Sequence, residues 1–91
     1  EGPSTPQLLK GRVRGASGRG ADGVTVTLTD QGGNVQYTRT NPFGYYRFQN
    51  VMTWENYTVQ VGSKRYRFNS NSQSFEFPEN AADVNFTATN R

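Results

Sequence analysis

The chain contains no cysteine and no histidine in its 91 residues. Without cysteine there is no disulfide, no thiolate nucleophile and no thiolate metal ligand. A small domain so built must hold itself by strand pairing and aromatic packing, or by another kind of cross-link. Without histidine the usual general base, the neutral-pH proton shuttle and the commonest metal ligand are missing together. Apolar residues are also scarce, at 32% of the chain, and the mean hydropathy is −0.85. No apolar run approaches the ~20 residues of a membrane-crossing helix, so no membrane insertion is expected. No segment carries a 3.6-residue period, which leaves helices without support. Charge of neither sign dominates. The net charge is +3 and the pI about 9.6, within the ordinary range for a soluble domain.

What is present is aromatic and turn-rich. Six Phe, five Tyr and one Trp must carry a thin core, because each buries far more area than Ala or Val. Residues 1–7, with two prolines, read as flexible linker, and residues 8–90 as a single domain. With Glu1 in first place and no leader in view, the chain reads as a domain cut from a longer protein. Residues 8–14 form a strand with Leu9, Gly11 and Val13 on one side and Lys10, Arg12 and Arg14 on the other. Residues 15–23 are a glycine-rich loop. Residues 24–29 alternate cleanly, with Val24, Val26 and Leu28 inward and threonines outward. DQGGN at 30–34 is a hairpin turn and 35–40 the returning strand. NPFG at 41–44 turns the chain into a strand at 45–48. Residues 49–56 read as irregular. Residues 57–61 alternate, as do 64–68, where Tyr66 and Phe68 oppose Arg65 and Arg67. Short strands at 74–77 and 83–89 close the domain. Val26, Leu28, Phe48, Tyr57, Val59 and Phe86 are the expected core. This pattern predicts an all-β, seven-stranded antiparallel Greek-key β-sandwich.

The ordered set of segments resembles a known family. Gly11-Arg12-Val13 looks like an opening strand, and Gly18 through Gly23 running into Val24-Thr25-Val26-Thr27-Leu28 like a turn into the second strand. Thr38 through Phe48 looks like a threonine-rich stretch with Gly44 at its turn, and Tyr57-Thr58-Val59 like a core strand begun by a tyrosine. In these positions the chain resembles the carboxypeptidase regulatory-like domain, a transthyretin-like sandwich close in style to the Cna B-type repeats of bacterial surface proteins. Asn41 and Asn56 depart from the Asp and Gly common there. The resemblance implies an exported protein, extracellular or in the cell envelope, and a supporting or spacing role without peptidase activity.

Each candidate site has a plain structural alternative. A hydrolase needs an activated nucleophile, and with neither His nor Cys present no enzymatic role is expected. Asp22, Asp30, Asn34 and Asp83 offer oxygens that suit calcium, but turn geometry explains Asp30 and Asn34, and no metal or other cofactor is expected. Cna B-type domains can form an internal amide between first and last strands, which here would join Lys10 to Asn85 or Asp83, with Glu55 or Glu76 as the acid. The reaction needs an apolar setting, whereas alternation turns Lys10 and Asn85 outward. Trp54, Tyr45 and the Arg65 and Arg67 face could bind sugar or a protein surface. The same residues also suit an end plug and a charged solvent face. Nucleic acid is not an expected partner. The leading expectation is a non-catalytic surface module, monomeric in isolation, that spaces, supports or presents a neighbouring domain of the same chain. The alternative is an adhesion module that binds cell-surface polysaccharide or protein.

Overall fold

Alternation, turn chemistry and one bulge build the fold, for which a computed structural model describes residues 5–77 and 83–90. The strands are β1 (Pro6–Arg14), β2 (Thr25–Asp30), β3 (Val35–Arg39), β4 (Tyr45–Met52), β5 (Asn56–Gly62), β6 (Ser72–Glu76) and β7 (Phe86–Thr87). They form a three-stranded sheet, β4-β1-β7, packed as a sandwich on a four-stranded sheet, β3-β2-β5-β6. The inward rows meet between the sheets: Leu9 and Val13 from β1, Val26 and Leu28 from β2, Tyr46 and Phe48 from β4, and Tyr57, Val59 and Val61 from β5, joined by Phe77 and Phe86. All six expected core residues are buried. The aromatics meet edge to face, Tyr46 on Phe48 at 6.1 Å and Tyr57 on Phe77 at 6.2 Å, the arrangement their ring quadrupoles favour.

The turn between β2 and β3 is set by Asp30. Its Oδ1 accepts the backbone N–H groups of Gly32 and Asn34, both at 2.9 Å, and its Oδ2 accepts Asn34 Nδ2 at 3.0 Å. These bonds, chiefly those from Asn34, hold the carboxyl below its ordinary pKa of 3.8. A depressed folded pKa stabilises the fold above the unfolded value and loses that contribution as pH falls through the folded one. Asp30→Asn should therefore lower the melting temperature at pH 7. The gap between the two proteins should shrink in melts taken below pH ~4. A gap that stays constant with pH would remove the carboxylate from this role.

Three features depart from expectation, and a fourth settles which side of a strand faces water. First, β4 continues to Met52 instead of stopping at Phe48. Between Gln7 and Leu9 the β1–β4 register slips, and Asn50, at φ 58, sits in the stretch of β4 where the extra residue is taken up. A bulge re-phases a strand: Val51 becomes the buried residue, and period-2 counting breaks there. Second, residues 64–68 are not a strand. Ser63 Oγ accepts the Arg65 and Tyr66 N–H groups, a local turn that competes with ladder pairing, and Tyr66 and Phe68 pack on the core from outside the sheet. The edge partner of β5 is β6 instead. Third, β7 runs parallel to β1, so pairing is not antiparallel throughout. Fourth, the Val35 and Tyr37 side of β3 faces outward, with 45% and 72% exposure. The β2 register decides this, because Thr27 pairs Tyr37 and Thr29 pairs Val35, and those threonines point away from the core.

Two buried hydroxyls tie distant segments together. The Tyr46 hydroxyl donates to the Val84 carbonyl at 2.5 Å; burial, with the Asp83 charge as a lesser cause, raises its pKa well above the ordinary value. Thr40, buried where the chain crosses from β3 to β4, donates to the Ala21 carbonyl and accepts the Val24 N–H at 2.9 Å. Its hydroxyl thereby ties the glycine-rich loop to the body of the fold.

Candidate functional site

The residues singled out in the sequence are dispersed. Trp54 lies in the turn between β4 and β5 at φ 62, a conformation that bulky residues rarely adopt. Its backbone N–H donates to the Phe77 carbonyl at 2.9 Å. The indole is half-buried, and its Nε1 is buried without a hydrogen-bond partner among the described residues. Tyr45 lies on the outer face of β4, 52% exposed. Arg12 covers it at 5.0 Å from the ring centre and donates from Nε to the Phe43 carbonyl. Arg65 lies beyond β5, where its Nη2 donates to the Asp22 carbonyl at 3.1 Å. Arg67 is held by its backbone: its N–H donates to Asn90 Oδ1 at 2.8 Å, and its carbonyl accepts the Thr89 N–H at 2.7 Å. Tyr45 and Arg65 thus belong to the outer faces of different sheets, and the four residues form no single surface.

Lys10 and Asn85 occupy neighbouring β1 and the lead into β7. The Lys10 carbonyl accepts the Val84 N–H at 2.9 Å. Its ammonium lies 4.0 Å from Asp83, with both side chains more than half exposed. Asn85 Oδ1 accepts the Arg12 N–H at 2.9 Å, and its carbonyl accepts Gln73 Nε2 at 2.7 Å. The two side chains therefore have separate partners, one in water and one on the backbone. Among the described residues no cluster of three or more acidic side chains could hold a metal ion.

Two surface grooves draw on residues that sequence reasoning passes over. The larger, about 790 Å³, crosses the outer face of the four-stranded sheet. Thr25 and Thr27 of β2 and Gln60 of β5 make its floor; Tyr37 and Arg39 of β3 stand on one side, and Lys64 and Arg65 on the other. Thr27 pairs both Tyr37 and Gln60, and Thr25 pairs both Arg39 and Gly62, so the trough deepens where Gly62 brings no side chain. The smaller, about 520 Å³, lies along the outer face of β1 and β4 between Lys10, Tyr45, Arg47 and Asp83, and it shares Arg39 with the first. Here Lys10 and Arg47 are cross-strand partners, a like-charge pair that costs stability. The signal in the sequence is the alternation Val35, Tyr37, Arg39. Which side of that alternation faces water depends on the β2–β3 register.

Tyrosine hydroxyls do structural work. Tyr57 accepts the Met52 N–H at 3.0 Å; burial raises its pKa, and that bond opposes the rise to some extent. Each of the two buried tyrosine hydroxyls bonds a backbone group.

The two sheets and the aliphatic and aromatic core between them define an all-β sandwich module. A family model for the carboxypeptidase regulatory-like domain matches residues 9–89, and the chain belongs to that family. The family is non-catalytic. No curated protein matches the chain.

Proposed function

We propose that this chain is a non-catalytic structural module of an exported protein, set at the cell surface or in the envelope, where it spaces and supports a neighbouring domain. The observation that carries this reading is the parallel pairing of β1 and β7. A first and a last strand that run side by side in one direction put the incoming and outgoing chain at opposite poles. Thr5 pairs with Thr53 at one pole, while Asn90 accepts the Ala16 N–H at the other. The nine residues of β1, at ~3.3 Å each, separate those poles by roughly 30 Å. Neighbours joined at the two poles are held apart instead of folding back on each other.

The chain's lack of cysteine makes the test direct. Gln7 and Thr87 are exposed on β1 and β7; spin labels on Gln7→Cys and Thr87→Cys should report a narrow distance distribution centred at roughly 20–25 Å, seven residues along the strand. A distance below roughly 10 Å would place both ends at one pole and remove the basis for a spacing role.

A further inference from the structure

We propose that the groove across the outer face of the four-stranded sheet is a binding site for an acidic, carboxylate-bearing sugar chain. The site goes beyond the spacing role and does not rest on it.

Charge argues for an anion. Arg39, Lys64 and Arg65 line the groove, and among the described residues its lining holds no carboxylate. The Arg65 guanidinium is positioned in advance by its bond to the Asp22 carbonyl and by its place 5.7 Å from the Tyr66 ring centre. An arginine held in this way offers its remaining N–H groups to a carboxylate at little further ordering cost. The Arg39 side chain makes no ion pair or hydrogen bond with another described residue.

The floor argues for a sugar. Thr25, Thr27 and Gln60 sit on adjacent strands with their side chains outward, and none spends its polar groups on another described residue. Thr27 and Gln60, cross-strand partners, present a hydroxyl and an amide at the ~4.8 Å spacing of neighbouring strands, and Thr25 lies ~6.7 Å from Thr27 along β2, distances close to the span of one sugar ring. Tyr37, 72% exposed at the groove's side, supplies an apolar ring face that a pyranose can stack against, with a polar tip at the water boundary. A bare phosphate has use for the cations alone. A glycuronan uses the cations, the hydroxyl-and-amide floor and the ring together.

The groove also has a built-in control. A Cβ added at Gly62 meets nothing within 4 Å, so a side chain there fills the trough without disturbing the sheet.

The test is amide chemical-shift mapping with oligogalacturonate, its fully methyl-esterified form, polyglutamate and a single-stranded DNA oligonucleotide. Oligogalacturonate should shift the amides of Thr25, Thr27, Tyr37, Gln60 and Gly62. Methyl esterification should weaken binding about tenfold, the loss expected when a charge-assisted bond becomes a neutral one. Arg39→Gln and Tyr37→Ala should each weaken it by a similar factor, and Gly62→Gln should abolish it with the melting temperature unchanged. Absence of shifts with oligogalacturonate would overturn the proposal. So would equal affinity for polyglutamate or DNA, which would make the site a charge patch alone, or shifts confined to Lys10, Tyr45 and Arg47, which would put recognition on the opposite sheet.

Discussion

Val26→Asp is expected to abolish cooperative folding at pH 7. Val26 has no exposed surface, and it lies in β2 between β3 and β5, paired with Thr38 and Val61. A carboxylate placed there faces Val24, Leu28 and Val59 with no cation to meet it. The least costly way to bury it is with a proton attached. From an ordinary pKa near 3.9, protonation at pH 7 costs about 4 kcal/mol. Lost apolar burial adds about 1–2 kcal/mol. A domain of 91 residues has about 5–14 kcal/mol of stability in all, and the combined loss of about 5–6 kcal/mol consumes all of it at the lower end of that range, where a small domain with a thin core lies. The sign of the pH dependence follows. Burial raises the folded pKa of the new acid above its unfolded value, so the destabilisation is largest above the folded pKa and is relieved as pH falls towards about 4. Circular dichroism and amide dispersion should show an unfolded chain at pH 7 that regains sheet structure on acidification, whereas Val26→Asn regains none. A wild-type melt for Val26→Asp at pH 7 would remove Val26 from the core.

Gly44→Ala is expected to lower the melting temperature by roughly 15–30 °C, the shift that about 3–5 kcal/mol produces in a domain of this size. Two costs combine at this position. Gly44 has φ 87, where a side chain is strained by about 1–2 kcal/mol. An added Cβ would also sit 2.1 Å from the Val13 carbonyl oxygen and 2.9 Å from the Ala21 nitrogen. Those two groups are bonded to each other, Ala21 N–H to the Val13 carbonyl, and the adjoining Val13 N–H donates to the carbonyl of Gly44 itself, both at 2.8 Å. Pushing them apart leaves donors unsatisfied at about 1–3 kcal/mol each. Gly33 separates the two costs. Its φ is 88, nearly the same, but a Cβ there meets nothing within 4 Å. Gly33→Ala should therefore cost only the strain, roughly 5–15 °C. Equal melting temperatures for the two variants would show that the close approach at Gly44 contributes nothing.

These two positions also mark how far the sequence can be read. Val26 sits in the cleanest alternation of the chain, where a period of two names the buried face directly. Gly44 follows Asn-Pro-Phe, and turn chemistry identifies it without any tertiary information. Three other features depend on non-local facts. The second half of β4 is hidden because the bulge near Asn50 shifts the alternation by one, so that Val51 falls out of phase with Phe48. Residues 64–68 carry strand-like alternation, yet the Ser63 hydroxyl and the Asn90 side chain claim their backbone groups, and that competition is invisible to periodicity. The groove escapes notice for the same kind of reason. Tyr37 and Arg39 alternate with Thr38 and could face either way. The pairing of Thr27 with Tyr37 decides the matter, and registers between strands are set by packing across the whole sheet. Trp54 and Tyr45 stand out in the sequence because they are aromatic, but a turn takes up the first and Arg12 covers the second.

The parallel neighbours β1 and β7 have a further consequence under tension. If the module is stretched between its ends, β1 and β7 are pulled in opposite directions along their common axis. The bonds joining them, Val84 N–H to the Lys10 carbonyl, Arg12 N–H to Asn85 Oδ1 and Ala88 N–H to the Arg14 carbonyl, then bear the load side by side and must break together. In a hairpin pulled at its open end the bonds break in succession. A sandwich whose terminal strands are loaded in shear resists force by geometry, without a disulfide, and one of its rungs is supplied by a side chain, that of Asn85.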